Sequence, residues 1–219
     1  MTSRTRLFTV ASLAAATLAL GGCKTKGDIV VDEGVGITAV RGACPAVGVP
    51  DYTGDVTLFS RPGATDASAI DVTAAMTNVR SSCNDSGEKV YAEASFDVLA
   101  RRTDASTART VQLPYYVTVM RGSTAVVTKR LGTVTINFAP GQERAQASGR
   151  AGAFIDKSEA TLSPEIRDRI TRRRRAGDAD AAIDPLTQPD VRAAVARATF
   201  EVLVGFQLTD QQLAYNATR

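Results

Sequence analysis

Three cysteines, Cys23, Cys44 and Cys83, are the only thiols in this chain of 219 residues, and there is no histidine at all. That pair of facts narrows the available chemistry. Without imidazole, neither a Ser-His-Asp nor a Cys-His arrangement can be assembled. Zinc sites with imidazole ligands cannot be built either, and the side chain that normally titrates near neutral pH is missing. What remains for catalysis is a carboxylate pair, a Ser-Lys dyad or an activated tyrosine. Lys89, Lys129 and Lys157 are the lysines of the body that could form such a dyad, and only Lys89, in Ser86-Gly87-Glu88-Lys89, has the S-x-x-K spacing. Glu93 and Asp97 share a face of one strand pattern, four positions apart. On an extended chain that spacing is too wide for joint action on one glycosidic bond. No C-x-x-C pair is present, and no glycine-rich phosphate loop follows a strand and opens a helix. The residues point away from an enzyme, and no cofactor is expected.

Two charge clusters stand out. Arg172, Arg173, Arg174 and Arg175 are consecutive, and guanidinium forks suit phosphate and carboxylate. This run is a candidate site for an anionic envelope component such as lipid phosphate or lipopolysaccharide. The competing expectation is a solvated helix end partly neutralised by Asp178, Asp180 and Asp184. Those three aspartates also have the close spacing of a calcium loop. Counted from Asp178, however, position 6 is Ile183 and position 12 is Pro189, where the EF-hand pattern requires Gly and Glu. No metal site is expected.

The first of the cysteines closes an uncharged run, Leu7 to Leu20, that follows Arg4 and Arg6. The run is too short for a spanning helix, which needs about 20 apolar residues, and matches the apolar region of a secretory signal. It ends Leu20-Gly21-Gly22-Cys23. That order resembles the lipobox of bacterial lipoproteins. The resemblance covers the first 23 residues and implies diacylglyceryl attachment to the Cys23 thiol, with cleavage after Gly22. Lys24 follows the cysteine, which by the family's sorting rule implies the outer membrane, facing the periplasm. Two or more acyl chains, at about 0.8 kcal/mol per buried methylene, hold a protein stably on a bilayer. Cleavage leaves residues 23–219, enough for one sizeable core. Loss of Arg4 and Arg6 brings the formal charge of +3 close to neutrality, so nothing draws the chain to nucleic acid. In an oxidising compartment the remaining even pair, Cys44 and Cys83, is most simply a disulfide.

The elements that must position these residues are mostly strands. Residues 24–36 carry glycines and charges and read as a tether, with a short strand at Ile29–Val31. From about residue 37 the apolar residues recur at every second position, as in half-buried antiparallel strands. Val56 and Leu58 begin the pattern. Ile70, Val72, Ala74 and Met76 continue it, and Val90, Ala92, Ala94, Phe96 and Val98 form its clearest stretch. Val111 to Val119 and Val134 to Phe138 repeat it. Turn residues fall between them, with "RGST" at 121–124 short enough for a hairpin and Ser81–Cys83 expected as a turn. Pro114 within a strand pattern requires an edge or a bulge. Ser163, Pro164 and Glu165 then open a helix whose last turn would hold the four arginines, with Gly177 as its stop. Pro189 and Asp190 open a second helix. "FEVLVGF" reads as a central buried strand, and Thr209 with Gln212 as a capping box.

The expected organisation is a signal peptide at 1–22, a lipid-anchored tether at 23–36, and one domain at 37–219. Its fold class is mainly β: an antiparallel β-sandwich of immunoglobulin or fibronectin character, with a two-helix insertion at about 158–198 before the last strand. The expected role is non-enzymatic, structural or binding, in the envelope. The partners are the membrane, through the lipid, and an envelope protein or anionic polymer. The alternatives are anion binding through Arg172–Arg175 and a hydrolase that works without histidine.

Overall fold

The computed structural model describes residues 42–219. The signal peptide, Cys23, the tether and the Ile29–Val31 strand lie outside the described residues. What is described divides into a body, residues 42–172 and 182–219, and a short separate segment, residues 173–181.

The body is a β-sandwich. One sheet has the order β1 (Ala46–Gly48), β8 (Phe200–Phe206), β5 (Arg109–Arg121), β6 (Ala125–Phe138). The other has β2 (Asp55–Phe59), β3 (Ile70–Asn84), β4 (Lys89–Arg102), β7 (Arg144–Asp156). All neighbours are antiparallel except β1 and β8, which run parallel. Helices α1 (Pro164–Thr171) and α2 (Pro189–Ala198) stand between β7 and β8, and α3 (Asp210–Thr218) follows β8.

The period-two residues do face inward. Val72, Val90, Ala94, Val98, Leu113, Ile136, Val202 and Val204 are all at most 1 % exposed. They belong to two apolar clusters filling the space between the sheets, which is where each sheet must hide its apolar face. β8 is central in its sheet, as its low polarity implies. Ser163 caps α1 through a bond from the Ile166 amide, and Thr209 and Gln212 form the reciprocal capping box of α3.

β7 carries no large inward residue before Ile155, and sequence reasoning missed it. Its inward positions hold Ala145, Ala147, Gly149, Ala151 and Ala153. Gly149 has no room for a side chain because the ring of Phe96 on β4 leans over it, and a Cβ there would collide with ring carbon Cζ. Phe96 meets Tyr115 of the opposite sheet edge to face at 5.1 Å. Tyr115 in turn lies over Gly132 of β6, where a Cβ would likewise collide with the ring. Its hydroxyl donates to the Arg150 carbonyl at 2.8 Å.

Three expectations are corrected. Pro114 is neither at a sheet edge nor in a bulge but in central β5. Its carbonyl accepts from the Gln207 amide at 2.9 Å, just past the last β5–β8 pair, Tyr115–Phe206. The missing N–H therefore faces the point where β8 runs out. Ser81, Ser82 and Cys83 are strand, because β3 continues to Asn84 beyond a bulge at Asn78, whose φ is +51°. Helix α1 ends at Thr171, so only Arg169 is in its last turn. Gly177, at φ +99°, serves a turn in the separate segment.

Arg102 ends β4 and is 1 % exposed. Its guanidinium donates to four main-chain carbonyls: Gln142 at 2.8 Å, Thr107 at 2.7 Å, Ala139 at 2.8 Å and Ala105 at 3.2 Å. It also lies 5.0 Å from the Phe138 ring centre. One side chain thus ties the β4–β5 loop to the β6–β7 turn. Beside it, Arg109 of β5 forks onto both carboxylate oxygens of Asp71 on β3, each at 2.6 Å, joining the sheets. Those bonds hold the Arg109 guanidinium even further above neutrality than usual.

Candidate functional site

Cys44 and Cys83 form a disulfide, with Cα atoms 6.0 Å apart. Cys44 precedes β1 in one sheet and Cys83 is near the end of β3 in the other. The bridge therefore staples the two layers. The chain-entropy account assigns a loop of 39 residues about 4 kcal/mol.

In the segment 173–181, Arg174 is 3 % exposed and pairs with Asp180 at 3.3 Å. The Asp178 carboxylate accepts from the Arg175 backbone amide at 2.8 Å. Arg173 and Arg175 have exposed side chains. In the body, Arg172 caps α1, and Asp184 spends its carboxylate on the Leu186 amide at 2.8 Å. The arginine run is thus divided in its duties rather than one uniform cationic face. Among the described residues no cluster of three or more metal-ligating side chains is present.

The carboxylates of β4 have local partners. Glu93 accepts from the Tyr91 hydroxyl at 2.8 Å. Asp97 accepts from the Asn78 amide at 2.7 Å and the Ser148 hydroxyl at 2.8 Å. These bonds, with the nearby Arg80 charge, hold Asp97 below the ordinary carboxylate value.

Next to Asp97, on the outer face of the β2-β3-β4-β7 sheet, lies a groove of about 750 Å³. Strand register builds its floor. One row runs Asp55, Ala75, Leu99, Gln146, and the next runs Thr57, Thr73, Arg101, Arg144. Leu99 is 49 % exposed there. Arg219, the residue after α3, forms the wall of the groove. Tyr215 packs edge-on against Phe59 at 5.1 Å, and Asn216 donates to the Tyr52 and Asp55 carbonyls, each at 2.8 Å. Arg219, beyond the helix, pairs with Asp55 and lies 5.6 Å from the Tyr215 ring centre.

No family model, curated protein or solved structure matches this chain.

The groove is therefore judged on its own geometry. Arg101 and Arg144 are direct cross-strand partners, so two like charges share one face at the closest spacing a sheet offers. Arg101 is 3.8 Å from Glu143, and both side chains are largely exposed. Such a contact is worth little. Arg144 makes no ion pair among the described residues. Sequence reasoning missed this site. Arg101 is visible as an outward position of the β4 alternation, but its partner is on β7, the strand whose small residues concealed it.

Proposed function

We propose that the chain is a lipid-anchored protein of the bacterial cell envelope, held by Cys23 on the outer membrane and facing the periplasm. Its role is non-enzymatic, a binding or structural module. The observation that supports this best is the Cys44–Cys83 disulfide. Thiol pairs persist oxidised in the periplasm and on cell surfaces and are kept reduced in the cytosol. With a leader that ends in Leu-Gly-Gly-Cys, the staple and the anchor call for the same compartment.

Mass spectrometry of protein extracted from membranes tests the reading. The expected N-terminus is Cys23 carrying a thioether-linked diacylglyceryl group, and palmitate labelling disappears in Cys23→Ser. Full-length chain in the cytosol, with residues 1–22 attached and both other thiols free, would overturn it.

A second reading, favoured by the exposed Arg173 and Arg175, is contact with an anionic envelope component through the Arg172–Arg175 run. The double variant Arg173→Ser/Arg175→Ser leaves the buried Arg174 in place. It should abolish salt-sensitive binding to vesicles that contain phosphatidylglycerol, and unchanged binding would discard this reading.

A further inference from the structure

We propose that the groove on the outer face of β2-β3-β4-β7 binds an anionic amphiphile, an alkyl chain ending in a carboxylate or a phosphate. The headgroup sits between Arg101 and Arg144, and the chain lies over Leu99, Ala75 and Thr73 towards α3.

Three observations carry this. The first is the opposed arginine pair. Like charges directly across a strand pair cost stability, and the exposed Glu143 contact offsets one of them only weakly. An anion placed between the two guanidinium forks turns the repulsion into charge-assisted hydrogen bonding. The second is the floor. An outward sheet face is normally polar in an antiparallel sandwich, yet this patch presents a half-exposed Leu99 beside Ala75, with the partly exposed Thr73 next to them. The third is the shape. Arg219, paired with Asp55, stands at the β2 side and bounds an open trough of about 750 Å³. That volume falls in the range of small-molecule sites. From β7 to β2 the floor spans about 14 Å at the usual interstrand spacing, a length suited to an extended alkyl chain rather than a bare anion. A second copy of the same rim would set arginine against arginine, which argues against self-association through this face.

The site and the anchor are independent, so the experiment uses the folded body whether or not Cys23 is lipidated. Dodecanoate and dodecyl phosphate are titrated below their micelle concentrations by calorimetry, and amide shifts are followed by NMR. Saturable 1:1 binding by one or both is expected, with the two arms identifying the headgroup. Shifts should centre on residues 73–75, 99–101 and 144–146. Arg101→Ser/Arg144→Ser should weaken affinity at least tenfold, and Leu99→Asp should do the same. These side chains are exposed or half-exposed, so the fold survives their replacement. Lys129→Ser, on β6 of the other sheet, should leave affinity unchanged. Octanoate should bind more weakly than dodecanoate. Equal binding by inorganic phosphate, equal binding by an uncharged dodecyl glycoside, or absence of binding would each overturn the proposal.

Discussion

Arg102 brings a positive charge into the interior, where main-chain carbonyl oxygens and the face of Phe138 meet it. Four main-chain acceptors take its N–H groups, and the flat fork of guanidinium can reach all of them at once. Arg102→Ala strands those acceptors and should cost on the order of 3–5 kcal/mol in a urea titration. Arg102→Lys should recover little, since an ammonium has three donors and no fork. The residue was legible in principle. The β4 alternation runs Val90, Ala92, Ala94, Phe96, Val98, Ala100, and two positions further is Arg102. The alternation read from the sequence stops at Val98, because an arginine at an inward position looks like the end of a strand. Asp97 makes a second test at this scale. Its folded-state value lies below the unfolded one through the Asn78 and Ser148 hydrogen bonds. Its contribution to stability is therefore complete above the unfolded value near pH 4 and is lost as pH falls through the folded value. Asp97→Asn should flatten the acid side of the stability curve below about pH 4, measured as the urea midpoint against pH.

At the scale of elements, periodicity revealed β2, β3, β4, β5, β6 and β8 but neither the short β1 nor β7, and capping residues marked the starts of α1 and α3. It failed where a strand accommodates its neighbour's bulk. β7 has glycine at position 149 because Phe96 of its neighbour occupies the space that a side chain there would fill. A pattern read along one strand cannot show a volume supplied by the next. Gly149→Val should push Phe96 off its rotamer and against Tyr115, destabilising by about 1–3 kcal/mol. In the double variant with Phe96→Leu the added cost of Gly149→Val should shrink, which a double-mutant cycle measures. The arginine run was misread for a related reason. Helical spacing and dipole logic placed it inside α1, but the helix ends at Thr171 and Arg174 is buried and pairs with Asp180, a fate local propensity does not encode.

For the whole molecule, the two sheets are fastened at different places by different means. The Arg109–Asp71 fork joins β5 to β3 near the Arg102 cage, and the disulfide joins the start of β1 to the end of β3. Reduction, or Cys44→Ser/Cys83→Ser, should lower the denaturant midpoint by an amount equivalent to at most about 4 kcal/mol. The slope with denaturant should change as well, because the unfolded chain loses a cross-link. The sandwich, its central β8 and the helical insertion were readable from alternation and punctuation. The groove was not, since it arises only when β4 and β7 lie side by side.

The position of the disulfide also sets how the body would carry mechanical load. A pull applied through the chain preceding residue 42 reaches Cys44 before it reaches β1. β1 is three residues long and held to β8 by one short parallel ladder, which would peel strand by strand under tension. The sulfur bridge diverts that tension into β3, fifteen residues long and flanked by β2 and β4. There the tension meets the β3–β4 ladder, which runs from Val72 to Asn84, instead of the three pairs of β1 with β8.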